Sequence, residues 1–143
     1  MNKDDVAILK SIQKNTQMAM KAIETVEPKV QDKNLAMLLA KTNQKYSKLH
    51  DKTLTSLVED NVKPYKSSTM ENMMLVGGID MNTLMDTSTS HLAELMIKGS
   101  NMGITDIDKT LNHHKCAGKE SIDLAKELLE LEKYNLEEYK KYL

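Results

Sequence analysis

Four amphipathic segments joined by one long connection predict an all-α fold, a four-helix bundle with a long crossover between its second and third helices. Three observations carry that expectation. Apolar residues recur at spacings of three and four along most of the 143 residues, the pattern of helices that each bury one face. Leu, Met, Ala, Lys and Glu dominate, which is helix composition. Breakers are sparse, with only five Gly and two Pro. A chain of this length buries a core of its own, so residues 1–143 read as a single domain.

The first helix is expected over about residues 2–25. Val6, Leu9, Ile12, Thr16, Met20 and Ile23 form its stripe, and Asp4 and Asp5 suit its positive N-terminal end. Pro28 ends it or opens the second helix, which runs to about Asp60. Leu35, Leu38, Leu39, Thr42, Tyr46, Leu49, Thr53 and Leu57 share one face of that helix, and at 1.5 Å per residue it spans roughly 48 Å. Pro64 is expected to stop it. Residues 61–80 then form the connection, with Ser67-Ser68-Thr69 capping a short apolar turn from Met70 to Val76, and Gly77-Gly78 breaking the chain. Some 20 residues exceed what a tight antiparallel turn needs and match a passage along the height of a bundle.

The third helix is expected from Asp80 to about His114, with Met81, Leu84, Met85, Ser88, Leu92, Leu95 and Met96 as its stripe and Ile104, Ile107 and Leu111 continuing it. Gly99 and Gly103 interrupt it, each less favourable than Ala by about 1 kcal/mol in a helix. Their spacing implies a bend, a break or a close approach by a neighbour. The fourth helix runs from about Lys119 to Tyr142, with Ile122, Ala125, Leu128, Leu129, Leu136 and Tyr139 inward. Glu132 falls on that stripe where an apolar residue is expected.

Composition excludes several function classes. All 20 basic residues are Lys, so guanidinium recognition of phosphate or carboxylate is unavailable. The net charge of −1 supplies no basic field for nucleic acid. One cysteine, Cys116, rules out an internal disulfide and fits a reducing compartment. The acidic start, Met1 to Asp5, is not a signal peptide, and no segment approaches the roughly 20 apolar residues of a membrane span. A cytoplasmic protein that binds neither nucleic acid nor membrane is expected. Phe and Trp are absent, so Leu, Ile, Val and the 11 Met fill the core.

Residues 91–112 read HLAELMIKGSNMGITDIDKTLN and residues 124–143 read LAKELLELEKYNLEEYKKYL. These stretches resemble uncharacterised ferritin-like four-helix-bundle proteins of low-GC Gram-positive bacteria, and the likeness extends in helix layout to the whole chain. The resemblance implies ferritin-like topology and a role in stress or sporulation physiology. Ferritin-like bundles hold two irons with a Glu on each of two helices and Glu-x-x-His on the other two. Set against that pattern, the ligands here are degenerate. The first helix offers Gln13, Gln17 or Glu24; the second offers Ser47-x-x-His50; the third offers His91 and Glu94 in reversed order; the fourth offers Glu132-x-x-Asn135. Too few carboxylates are present to bridge a reactive iron pair.

Two readings of these residues stand side by side. His50, His91, Glu94 and Glu132 supply two imidazoles and two carboxylates, a set able to hold one Fe or Zn if the helices turn them to a common point. The same residues, with Gln13, Tyr46 and Asn135, also make a paired hydrogen-bond network with no metal at all. Elsewhere, His113-His114-x-Cys116 lacks a fourth ligand for a structural metal site. Met70, Met73 and Met74 offer thioethers to copper, or Met70 to Val76 form an exposed apolar patch for a protein partner. Gly99 to Gly103 lacks the Lys and the preceding strand of a phosphate loop. Tyr134, Tyr139, Tyr142 and Leu143 are candidates for a homodimer face. The expectation is a non-catalytic binding or structural module working as a homodimer. The alternatives are a metal-binding protein or divergent iron oxidase or storage protein using the mixed His/Glu site, and a small-ligand carrier with a cavity between its helices.

Overall fold

The computed structural model describes residues 1–67 and 85–143. Among the described residues there are four α-helices and no strand: α1 (Lys3–Val26), α2 (Lys33–Glu59), α3 (Thr89–His113) and α4 (Lys119–Lys140), with a short 3₁₀ turn over Glu27–Lys29. Each start has a local chemical cause. At α1, Asn2 and Asp5 form a reciprocal capping box: the Asp5 N–H donates to Asn2 Oδ1 at 2.8 Å and the Asn2 N–H to Asp5 Oδ2 at 2.9 Å. Pro28 opens the 3₁₀ turn rather than α2. Val30 is extended, and Asp32 caps α2 by accepting from the Asn34 and Leu35 N–H groups, both at 2.9 Å.

The second helix ends before Pro64, for a reason that lies in its last turn. Asn61 adopts a left-handed conformation with φ 56°. The Val62 N–H donates to the Leu57 carbonyl at 2.9 Å and the Asn61 N–H to the Val58 carbonyl at 3.0 Å. This paired closure satisfies the loose carbonyls, and Asn tolerates the left-handed position better than other side-chain-bearing residues. Helix α3 starts at Thr89, later than the periodicity implies, with Ser88 accepting from the His91 N–H at 3.3 Å. Met85 is 95% exposed, so it lies outside the core stripe. Met81 and Leu84 of the expected stripe, and the turn from Met70 to Val76, lie outside the described residues. Helix α3 runs unbroken through Gly99 and Gly103.

Contacts across the bundle fix the helix directions. Asn2 Nδ2 donates to the Cys116 carbonyl at 2.8 Å, and Asp4 Oδ1 lies 3.0 Å from His114 Nδ1. The start of α1 thus meets the end of α3 and the turn into α4. Ser56, near the end of α2, donates to Glu120 in the first turn of α4 at 3.4 Å, and Lys52 reaches Glu127 at 3.2 Å. Helices α2 and α3 therefore finish at the same end of the bundle, where α1 and α4 begin. Helix α1 packs on α2, α3 and α4, and α4 also packs on α2 and α3.

The core follows from the stripes. Leu35, Leu39, Thr42, Tyr46, Leu49, Thr53 and Leu57 are all buried on α2, as their spacing predicts, with Leu38 partly covered. On α1 the buried set is Ile8, Leu9, Ile12, Gln13, Asn15, Thr16, Ile23 and Val26 with Asp5, while Val6 and Met20 sit at the margin. Ala125, Leu128, Leu129 and Tyr139 of α4 are buried with Leu124 and Leu131. Full burial of a Leu or Ile stabilises by about 1.5–3 kcal/mol, so this layer dominates the folding free energy.

Candidate functional site

Glu132 lies in the middle of α4 and faces inward, with only 3% of its surface exposed. The spacing that carries Leu128 and Leu131 to the core carries Glu132 there too. The hydroxyls of Tyr46 on α2 and Ser100 on α3 hydrogen-bond its carboxylate. Tyr46 Oη in turn accepts from Asn135 Nδ2 at 3.1 Å, and the same amide donates to Thr42 Oγ1 at 2.6 Å. Asn135 stands three residues beyond Glu132, so one turn of α4 sends two polar groups to the same interior level.

A further element of the geometry comes from Gly103. Its Cβ, were there one, would stand 3.4 Å from Glu132 Cδ and 3.6 and 3.7 Å from the two carboxylate oxygens. A methyl group at 103 would therefore rest against the carboxylate at ordinary van der Waals distance.

The electrostatics follow from burial. Desolvation pushes the Glu132 carboxyl up to about 7, opposed only in part by the Tyr46 and Ser100 hydroxyls. No cation among the described residues forms an ion pair with it. Burial also drives the Tyr46 and Tyr139 phenols upward, and the nearby Glu132 charge adds to both shifts. Tyr139 Oη and Asn135 Oδ1 are buried without a hydrogen-bond partner among the described residues.

Above Glu132 a pocket of about 140 Å³ opens between α1 and α3. Met18, Ala19 and Ala22 form one wall and Leu95, Met96 and Gly99 the other, with Glu132, Tyr46 and Ser100 at the base. Exposed Lys98 and Met102 border the mouth. A groove lined by Asp106 continues from it along α1 and α3 and shares Asn15, Met18 and Met102 with it. Asn15 Nδ2 donates to Asp106 Oδ2 there at 2.7 Å.

The other residues singled out in the sequence are distributed around the bundle. His50 is half-buried on α2, and the amide of Gln17 on α1 donates to its Nε2 at 3.0 Å. His91 and Glu94 pair with each other at 3.8 Å in the first turn of α3, with side chains 32% and 52% exposed, so Glu94 faces solvent rather than the interior. Gln13 is fully buried, and its Oε1 accepts the Tyr65 N–H at 2.7 Å. Glu24 pairs with Lys21 on the surface. His114 and the Cys116 N–H both engage Asp4, His113 is exposed, and Cys116 is an exposed free thiol. Among the described residues no three His, Cys, Asp or Glu side chains gather as a metal-holding group. Met70, Met73 and Met74 lie outside the described residues. Tyr139 is buried, which removes it from any dimer face, while Tyr134 is exposed beneath Lys45 Nζ at 5.2 Å.

Ser100 and Asn15 are the site residues that sequence reasoning passed over. The signal for Ser100 was present in its spacing: Leu92, Met96, Ser100, Gly103 and Ile107 recur at three and four and are all buried. A small hydroxyl inside such a stripe marks an inward polar position. No described helix is long and apolar enough to cross a membrane. Compared with known proteins, the chain matches no family model, no curated protein and no solved structure.

Proposed function

We propose that this chain is a non-catalytic binding module, a bundle of ferritin-like topology whose pocket between α1 and α3 receives a small, mainly apolar ligand. The observation that carries the reading is the pocket itself, apolar on both walls and closed at its base by one buried carboxylate with two hydroxyl partners. Small-ligand sites have this composition, a hydrocarbon lining with a few convergent polar groups. The common direction of α2 and α3 supports ferritin-like topology, because bundles of that kind also run their second and third helices the same way. Among the described residues no carboxylate or imidazole gathers beside Glu132, which argues against an iron or zinc centre built on His50, His91, Glu94 and Glu132, since a metal needs several such donors at one point.

In this reading the protein is cytoplasmic and works as a homodimer, with Tyr134 and Leu143 as exposed apolar residues near the C-terminal end of α4. Three experiments test it. Methyl-labelled methionine reports the pocket directly: small six- to eight-carbon compounds should shift the Met18, Met96 and Met102 methyl signals and leave those of Met37 and Met85 in place. Movement of no pocket methyl with any such compound overturns the proposal. Mass spectrometry of untagged protein after loading with iron or zinc should find metal near zero; stoichiometric metal with a diferric absorption would restore the oxidase reading. Sedimentation of the full chain reads the dimer separately.

A further inference from the structure

The base of the pocket has an uncompensated charge requirement. Glu132 is buried, two hydroxyls donate to it, and no ammonium or imidazolium among the described residues joins them. Lys98, the cation nearest the mouth by lining, turns outward, with its Nζ 3.7 Å from Glu94 and its side chain 66% exposed. A carboxylate held away from water without a counter-charge is unfavourable by several kcal/mol when ionised, and a cation that reaches it relieves that penalty. The walls define the rest of the ligand. Their volume of about 140 Å³ is close to the roughly 150 Å³ at which an apolar cavity accepts a six-carbon ring.

We infer that this pocket takes a small primary amine with an apolar body of about six carbons, its ammonium on the Glu132 carboxylate and its hydrocarbon between Met18, Ala19 and Ala22 of α1 and Leu95 and Met96 of α3. The inference rests on the reading of the pocket as a ligand site and adds the chemical class. An anionic ligand would bring like charge to Glu132. A neutral alcohol gives the carboxylate a hydrogen bond and leaves its charge unpaired. Only the ammonium supplies both, and charge-assisted hydrogen bonds are about twice as strong as neutral ones.

The groups facing Glu132 leave it as the titrating partner near neutral pH. Tyr46 from α2 and Tyr139 from α4 are phenols pushed upward. Helix α3 offers Ser100 and, at the mouth, Lys98, and α1 lines the pocket with Asn15 and apolar residues alone. Amine binding is therefore expected to strengthen as Glu132 ionises through about 7.

The test uses benzylamine and benzyl alcohol, which match in shape and differ in charge, titrated calorimetrically into the full chain. At pH 8 benzylamine should bind about ten- to a hundredfold more tightly than the alcohol, the range expected for one hydrogen bond to a charged group. The advantage should vanish in Glu132→Gln and shrink at pH 6. Gly99→Leu supplies a variant that does not depend on Glu132: nothing lies within 4 Å of a Cβ at 99, so the new side chain enters the pocket mouth without a clash at its base and should abolish binding of both probes. Equal affinities for amine and alcohol, or an amine advantage that survives Glu132→Gln, would overturn the amine assignment while leaving the pocket as a ligand site. Binding of neither probe, or binding untouched by Gly99→Leu, overturns both readings.

Discussion

Asp5 and Glu132 are both carboxylates withdrawn from solvent, yet the fold treats them in opposite ways. Asp5 lies at the end of the bundle and accepts three donors: the Asn2 N–H at 2.9 Å, the Gly118 N–H at 2.8 Å and the Ser121 hydroxyl at 2.8 Å. These hold its pKa below the ordinary 3.8, the Asn2 bond being the largest influence. Glu132 lies mid-helix with two hydroxyl partners and rises to about 7 because burial outweighs them. The difference teaches where donors come from. Helix starts have free backbone N–H groups to give, and Asp5 takes one from α1 and another at the N-cap of α4. In the middle of a bundle every backbone N–H is already engaged within its own helix, so only side chains can serve. Asp5 is therefore a clamp that holds two helices together, whereas Glu132 remains open to a further partner.

The largest expected effect separates the two by the sign of their pH dependence. Glu132 has a folded pKa of about 7 against 4.5, so between those values the folded chain holds a proton that the unfolded chain has released. Its contribution is full below about pH 4.5 and is lost as pH rises to about 7, a fall of about 3 kcal/mol. Urea unfolding from pH 5 to 8 should show that decline in the native chain and a much flatter profile in Glu132→Gln. Identical slopes would erase the contrast.

Asp5 acts in the other direction. Its lowered pKa contributes stability that is present above pH 3.8 and is lost as pH falls through the folded value. Asp5→Ala removes the capping box of α1 and the tie to α4 together, and should destabilise by about 2–3 kcal/mol at pH 7. A loss under about 0.5 kcal/mol in urea unfolding, the size of an ordinary surface change, would mean that the clamp carries little.

Tyr46→Phe sharpens the comparison by taking one donor away from Glu132. The carboxyl should move further above 7 in a carbon-detected NMR titration, with a stability loss of about 1 kcal/mol. An unmoved carboxyl would show that the Tyr46 hydroxyl does not stabilise the Glu132 charge.

The smallest effect distinguishes the two glycines of α3. Gly99→Ala meets open space and should stabilise by up to about 1 kcal/mol through helix propensity. Gly103→Ala gains the same propensity but sets a methyl group against the Glu132 carboxylate, so its net change should be near zero and more unfavourable at pH 8 than at pH 5. Thermal unfolding of both variants at the two pH values reads the difference.

Much of the fold was legible because one-dimensional periodicity reports burial. The α2 stripe from Leu35 to Leu57 is buried as read except for the partly covered Leu38, and the inward turn of Glu132 followed from its place between Leu128 and Tyr139. The ends were read less well. Pro64 was expected to stop α2, but Asn61 does so three residues earlier by entering the left-handed region, a choice driven by the local closure of Leu57 and Val58 carbonyls. Pro28 opens a 3₁₀ turn, and the stronger cap at Asp32 decides where α2 begins. The site was half legible. Glu132, Tyr46 and Asn135 stood out as polar residues on apolar faces. The grouping of His50 and His91 with them depended on rotation about each helix axis, which spacing constrains only loosely, and Gln17 and Glu94 turn out to be their neighbours.

By itself the amino-acid order determined that the four described helices form, which faces they bury and that one carboxylate must share the interior with hydrocarbon. Those outcomes depend on residues three and four apart on one helix, and the helical repeat makes them neighbours whatever else the chain does. Tertiary packing alone decided that Ser100 and Tyr46 meet that carboxylate, that Gly103 lies against it, and that Asp5 accepts from the N-cap of a helix more than a hundred positions away. Such contacts join separate helices, and their geometry is set by how the helices rotate and slide as the apolar layer closes, a quantity that no single segment encodes.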